Sequence, residues 1–183
     1  IEELLQRSKR AAADIAGIAV SGMVPAVLLV DEQGETLRRA ILQNDARATS
    51  EIDEIKNRIG SVDLLTLTGS ILSQQSVAPT ALWLARNEPQ IWSQTFLLQG
   101  SYDWLACKLG AAHHVEKNWA IESGLYNLDL TPLDVVREAT NIHWPRLLPV
   151  KSPSERVGEV SEIAAAGTGL LKGTPIIVGG ADH

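Results

Sequence analysis

The sequence contains little cysteine and little histidine, which limits its disulfide and metal chemistry. One cysteine, Cys107, and four histidines occur among 183 residues. A single cysteine cannot form an internal disulfide, and the histidines have no spacing typical of metal ligands. Neighbouring residues on a strand point to opposite faces, so the pair His113 and His114 is a poor metal site. We therefore predict no metal site and a reducing, cytoplasmic compartment.

Long apolar runs and strongly basic stretches are also missing. No apolar segment approaches the roughly 18 residues that would suggest a membrane span. The net charge is −6, and lysines and arginines are scattered rather than gathered in a stripe that could follow a phosphate backbone. Glu2 and Glu3 follow Ile1, unlike a secretory signal. We expect a cytoplasmic protein that binds neither membranes nor nucleic acids.

Several motifs of well-known enzyme classes are absent as well. The sequence has no Gly-rich loop followed by Lys and Ser or Thr, and no Gly-x-Gly-x-x-Gly dinucleotide motif. It also lacks the Gly-x-Ser-x-Gly nucleophile turn. A P-loop nucleotide site, a Rossmann dinucleotide site and an α/β-hydrolase site are therefore not indicated.

The apolar content, 45% of the residues, is sufficient for the core of one domain or most of one. Apolar periodicity predicts helices and strands mixed along the chain, and hence an α/β fold. The predicted helices span 1–15, 49–59, 76–87, 101–109, 131–140 and 163–166, and Thr49 or Ser50 could cap the second of them. The predicted strands span 18–20, 27–30, 36–42, 96–98, 157–160 and 176–178, and 62–67 is an apolar stretch of unassigned type. A turn at Asp31–Gly34 would join 27–30 and 36–42 as a hairpin. Prolines make 145–153 the expected hinge.

The most suggestive stretch is the run from Ile176 to Asp182, where an apolar strand is followed by two glycines and an acid. A carboxylate just after a buried strand lies where α/β proteins place their ligands. Gly179 and Gly180 lack a Cβ, so a ligand can approach their backbone closely. An aspartate with an ordinary pKa is ionised at neutral pH and could accept a hydroxyl proton as a general base. Asp182 could equally cap a following helix.

Three other polar loops are candidate binding segments. The loop Ser21–Pro25 leaves the end of a predicted strand, but it could be an ordinary tight connection. The segment Gln43–Arg47 could bind a polyol through paired donors and acceptors, although Asp45 and Arg47 could instead fix the loop by a salt bridge. Ser73–Ser76 is a polar patch most typical of a helix cap.

The order of these pieces resembles the FGGY family of carbohydrate kinases. Each piece is short, but together they follow the family order over nearly the whole chain. The matching segments are Gly17–Met23, Leu28–Gly34, Asn44–Arg47, Thr68–Gly69, Leu82–Pro89, Tyr102–Leu105, Lys108–Gly110 and Gly169–Asp182.

The resemblance implies a ribonuclease H-like (actin-like ATPase) domain, with a mixed sheet and flanking helices. It makes residues 1–183 the partial N-terminal, sugar-binding domain of a kinase that uses ATP and Mg²⁺, with Asp182 as the catalytic base. The family's first strand, with its Asp-x-Gly-Thr phosphate loop, and its C-terminal nucleotide-binding domain have no counterpart in this sequence. We therefore expect residues 1–183 alone to be inactive.

The resemblance also implies substrate contacts and a substrate class. The substrate-binding positions carry over to Met23, Val24, Gln43, Asp45, Gln75 and His183. Val24 stands where xylulose kinases usually have His, and Gln43 stands where relatives commonly have Trp. The sequences of the loops Ser21–Pro25 and Gln43–Arg47 look more like those of pentulose (xylulose-type) kinases than those of glycerol kinases. The resemblance is also compatible with a homodimer. The alternative is a non-catalytic sugar- or nucleotide-binding regulatory module of the actin-like superfamily.

Overall fold

Helices and strands are mixed along the whole chain, as the apolar periodicity predicts. The computed structural model of the protein describes residues 1–182. Its helices are α1 (Glu2–Ser8), α2 (Thr49–Ile59), α3 (Leu64–Thr68), α4 (Val77–Asn87), α5 (Pro89–Gln94), α6 (Ser101–Leu109), α7 (Lys117–Glu122), α8 (Asp134–Thr140) and α9 (Glu162–Thr168), and a 3-10 turn covers Ala12–Asp14. Its strands are β1 (Ile18–Ala19), β2 (Leu28–Val30), β3 (Leu97–Gln99), β4 (Val115–Glu116), β5 (Val150–Lys151), β6 (Arg156–Glu159) and β7 (Pro175–Ile177).

The strands form one three-stranded sheet and two strand pairs. In the larger sheet β7 lies in the centre, parallel to β1 and antiparallel to β6. One pair joins β2 and β3 antiparallel, and the other joins β4 and β5 parallel. The predicted mixed α/β class is confirmed.

Two apolar cores hold the sheets and helices together. The larger core contains the buried side chains of β2 and β3 and those of α2 and α4. The smaller core lies where α6 and α9 meet the three-stranded sheet, and it includes Leu109, Val160 and Ile176. Ile176 is fully buried, and burying such a side chain stabilises the fold by about 1.5–3 kcal/mol. The strand that leads to Asp182 is therefore firmly anchored.

Most predicted elements occur with small shifts in their ends. The helix predicted over 49–59 has those bounds, but Ala48 is its N-cap and neither Thr49 nor Ser50 caps it. The unassigned stretch 62–67 contains α3, because the Asp63 carboxylate accepts the N–H of Thr66 and so caps a helix there.

The predicted hairpin over 27–42 is only partly formed. Its turn is present: the N–H of Gly34 donates to the carbonyl of Asp31, and Gly34 has a φ of 80°. The returning segment makes isolated bridges, Thr36 with Val30 and Ile41 with Val27, rather than a strand. On its other edge β2 pairs along its length with β3.

Among residues 1–182, no helix is both long enough and apolar enough to cross a membrane.

Candidate active site

The ends of β1 and β7 bring the loop after β1 next to Asp182. The two strands are parallel, with Ile18 opposite Ile176, so their carboxyl ends lie at the same edge of the sheet. Beyond the strands, Gly22 and Ala181 form a further parallel bridge. The N–H of Asp182 donates to the carbonyl oxygen of Gly22 at 3.2 Å. The sequence placed both segments at strand ends, and the structure joins them.

The two glycines before Ala181 have different structural roles. A Cβ at Gly179 would lie 1.8 Å from the carbonyl oxygen of Val20, which is far inside van der Waals contact. Gly179 therefore allows the backbones after β1 and β7 to touch. A Cβ at Gly180 would meet nothing within 4 Å. Only the first glycine is required by packing, and the second leaves open space beside Asp182.

The Asp182 side chain is exposed, and among residues 1–182 its carboxylate makes no ion pair. A carboxylate in this position can accept a proton from a molecule bound at the strand ends. The other reading, a cap for a following helix, concerns residues outside the described part of the chain. His183, predicted to bind substrate, also lies outside the described residues.

Met23 and Val24 leave the end of β1 in opposite environments. Met23 is 38% exposed and lies one residue beyond Gly22, so its side chain is available to a ligand. Val24 is only 5% exposed and belongs to the larger core. Its side chain packs inside the domain, and its role as a substrate contact stays a prediction. The β-branched apolar side chain gains more from burial than from facing a polar ligand.

Asp45 acts as a structural residue of its loop. Its carboxylate accepts two hydrogen bonds from the Arg47 guanidinium, at 2.9 and 2.7 Å, and one from the Arg47 N–H at 3.0 Å. These bonds hold the pKa of Asp45 at about 2. Arg47 also lies over the Trp83 ring, 4.9 Å from its centroid, and 3.8 Å from Glu88. The salt bridge predicted for this loop is present, and the role of Asp45 as a substrate contact stays a prediction.

Gln43 and Gln75 lie in turns, and neither makes a hydrogen bond to Asp182 among the described residues. Gln43 is half-buried in the turn that precedes Asp45. Gln75 is exposed just before α4, and its N–H donates to Ser73 Oγ at 3.2 Å. Both remain predictions as substrate contacts.

A buried polar cluster beneath the loop after β1 was missed by sequence reasoning. Tyr102, on α6, is 2% exposed, and its hydroxyl donates to Glu116 Oε2 at 3.0 Å. Glu116 is fully buried, and its N–H donates to Asp103 Oδ2 at 3.0 Å. The available signal was the occurrence of polar side chains, Tyr102, Asp103 and Glu116, close to apolar ones in the sequence, since buried polar groups usually bond to one another.

Asp103 and His114 extend this cluster as a buried ion pair. His114 Nε2 lies 3.3 Å from Asp103 Oδ1, and Nδ1 lies 2.8 Å from the carbonyl oxygen of Ala112. Both ring nitrogens face acceptors, so both carry protons. Burial by itself lowers the pKa of His114, but its hydrogen bonds, of which the one to Asp103 is the strongest, together with the charge of Asp103 outweigh burial and raise the pKa to about 10. Of the histidine pair noted in the sequence, His114 is thus a core residue, whereas His113 is exposed.

Among residues 1–182, no group of three or more His, Cys, Asp or Glu side chains could hold a metal ion.

Comparison with known proteins identifies the family. Residues 1–183 match the model of the N-terminal domain of the FGGY family of carbohydrate kinases. Autoinducer-2 kinase from Klebsiella pneumoniae is 33% identical over the full chain, and xylulose kinase from Bacillus subtilis is 29% identical. The chain spans 35% and 37% of those proteins, about a third of their length.

The solved structures show the same fold. Xylulose kinase from Rhodospirillum rubrum superimposes with a TM-score of 0.84 at 35% identity, over 92% of this chain and 35% of that one. The xylulose kinase of Lactobacillus acidophilus, at 21% identity and a TM-score of 0.85 over 99% of this chain and 36% of that one, supports the fold alone. The expected actin-like ATPase fold is confirmed, and the chain belongs to the FGGY family of carbohydrate kinases.

Proposed function

We propose that the full-length protein transfers the γ-phosphoryl group of ATP to a hydroxyl of a pentulose such as xylulose. The observation that carries the proposal is the exposed carboxylate of Asp182, fixed beside the loop after β1 by the Asp182–Gly22 hydrogen bond. Family membership supplies the reaction class, and the likeness to a xylulose kinase at 35% identity favours a pentulose.

The Asp182 carboxylate is the proposed general base. As the sugar oxygen forms its bond to the γ-phosphorus, the bond from that phosphorus to the bridging oxygen of ATP breaks and ADP leaves. The sugar hydroxyl proton passes to Asp182, so charge and atoms balance. Most of the catalysis in phosphoryl transfer comes from positioning and charge stabilisation, and the base contributes one proton transfer. The rigid strand ends supply the positioning.

ATP and Mg²⁺ are proposed to be held mainly by parts of the protein outside residues 1–183. Mg²⁺, when bound between the phosphates, neutralises the charge that develops on them. This chain would contribute the sugar side of the cleft through Met23 and Asp182, with Gln43 and Gln75 as further candidate contacts. For the same reason we propose that residues 1–183 by themselves do not phosphorylate sugars.

A second candidate substrate is that of the autoinducer-2 kinases. The relative from Klebsiella pneumoniae is 33% identical over the full chain, and that from Enterobacter is 32% identical. Both candidates require the same proton transfer at Asp182, so they differ only in the substrate contacts.

The test is a coupled assay of ADP release with the full-length protein. Xylulose, ribulose, glycerol and autoinducer-2 are offered one at a time with ATP and Mg²⁺. The proposal expects xylulose or ribulose to give the highest kcat/KM, whereas a preference for autoinducer-2 supports the second candidate. A protein that binds sugar or ATP by calorimetry but releases no ADP with any of the four would favour the non-catalytic regulatory module and contradict the proposal.

A further inference from the structure

The side chain of Tyr102 supports the backbone that holds Asp182. A Cβ built on Gly22 would lie 3.3 Å from Tyr102 Cδ1 and 3.4 Å from Tyr102 Cβ, so the tyrosine packs directly against this glycine. The carbonyl oxygen of Gly22 accepts the N–H of Asp182. Tyr102 therefore contacts one partner of the hydrogen bond that places the exposed acid.

The tyrosine itself is fixed from below by Glu116. The Tyr102 hydroxyl donates to Glu116 Oε2 at 3.0 Å, and the same oxygen lies 3.4 Å from the N–H of Trp119 in α7. Glu116 is in turn tied to α6 through its own N–H, which donates to Asp103. The support thus joins α6, β4 and α7, and all its members are buried.

The electrostatics keep the Tyr102 hydroxyl a donor. Burial raises the pKa of Tyr102 far above its usual range, and the negative charges of Asp103, Glu116 and Asp182 raise it further. The phenol therefore keeps its proton at neutral pH and well above it. A proton held there maintains the hydrogen bond to Glu116 and adds no further charge near Asp182.

We propose that Tyr102, locked by its hydrogen bond to Glu116, is a positioning residue that holds the Gly22 loop and thereby the Asp182 carboxylate in its reactive place. This inference rests on the proposed function of Asp182, because a positioned acid matters for the rate only if that acid accepts the sugar proton. It concerns a side chain outside the predicted substrate contacts.

The chain offers a matched control for removing the hydroxyl. Tyr126 is equally buried, at 2% exposure, and its hydroxyl also makes one buried hydrogen bond, to the carbonyl oxygen of Leu148 at 3.0 Å. Tyr102→Phe and Tyr126→Phe each remove one buried hydrogen bond, so each should lower the midpoint of thermal unfolding. Only Tyr102→Phe should affect Asp182.

The first experiment is hydrogen–deuterium exchange of the full-length protein without substrate. The Asp182 amide, bonded to Gly22, should exchange faster in Tyr102→Phe than in wild type and stay unchanged in Tyr126→Phe. Equal exchange of this amide in all three proteins would overturn the proposal. The result is read without any catalysis, so it stands even if no sugar is phosphorylated and the proposed function fails.

The second experiment is steady-state kinetics with the best sugar. Misplacement of a reacting group by about 1 Å can cost 10²-fold, so kcat should fall by up to about 10²-fold in Tyr102→Phe with the KM for ATP unchanged. Tyr126→Phe should keep the wild-type kcat. Glu116→Gln, which still offers an oxygen to the Tyr102 hydroxyl, should retain most of the rate that Glu116→Leu loses. Equal kcat in the two tyrosine variants would contradict the positioning role.

Discussion

The strand ends around Asp182 and the loop Gln43–Arg47 each present an aspartate, but in opposite states. Asp182 is held by its backbone and leaves its carboxylate exposed. The carboxylate of Asp45 is paired with the guanidinium of Arg47, and this pairing lowers the pKa of Asp45 to about 2. An acid positioned through its main chain is available for chemistry, whereas an acid positioned through its side chain is already occupied.

The supports of the two regions also differ in kind. The strand ends depend on backbone contact, on glycine and on a polar cluster that is buried. The loop depends on a partly exposed ion pair and on a guanidinium over the ring of Trp83. Substitutions at the strand ends should therefore have large effects that salt does not change, and substitutions in the loop should have small effects that salt reduces.

The largest expected effect on stability is at Gly179. Gly179→Ala places a methyl group 1.8 Å from the Val20 carbonyl oxygen, so β1 and β7 must separate. Overpacking of this kind costs about 3 kcal/mol or more. Gly180→Ala, whose Cβ meets open space, is the matched control and should change stability little. Thermal unfolding of the full-length variants measures both, and equal losses would show that backbone contact does not hold the strand ends.

The Asp103–His114 pair should make the support of the strand ends depend on pH. The pKa of His114 is raised from 6.5 to about 10, so the folded state holds a proton that the unfolded state releases above pH 6.5. The stability from this pair is complete below pH 6.5 and is lost as the pH rises through about 10.

The measurement is the midpoint of thermal unfolding between pH 6 and 10. Wild type should lose several degrees over this range, and His114→Gln should start lower and change less. The difference between the two proteins is the quantity to compare, because it cancels contributions that do not come from this pair. Parallel pH curves would mean that the pair carries no proton linkage.

A smaller effect is expected in the loop. Asp45→Asn removes the ion pair with Arg47, whose two side chains are 26% and 30% exposed. The free energy of unfolding should therefore fall by about 0.5–1 kcal/mol. High salt should reduce the difference between variant and wild type, as it does for partly exposed charges. Unfolding midpoints at low and high salt measure this. If Asp45→Asn lowered the unfolding midpoint more than Gly179→Ala does, the loop would matter more for stability than the strand ends, which contradicts the comparison.

The sequence predicts local structure well where local chemistry decides it. The bounds of α2 follow from apolar spacing between residues 49 and 59, and the Asp31–Gly34 turn follows from its acid and its glycine. The position of Asp182 at a strand end could be predicted in the same way, because the strand and the two glycines lie just before it in the sequence.

The remaining features depend on contacts distant in sequence. Val24 follows an exposed residue, yet it packs in the core because the chain turns inward after Met23. Tyr102 and Glu116 are 14 positions apart and meet only because α6 and β4 are packed together. Periodicity and motifs carry no information on such pairs, so the contact between Tyr102 and Glu116 that supports the Asp182 backbone could be seen only in the structure.

The most direct test of the central claim is the turnover of Asp182→Asn in the full-length protein. Asparagine preserves the size of the side chain but cannot accept the sugar proton, so kcat should fall by about 10²–10⁴-fold while the KM for ATP stays near wild type. Asp53→Asn, at an exposed position on α2, is the control and should keep full turnover. An Asp182→Asn protein with the kcat of wild type would contradict the account.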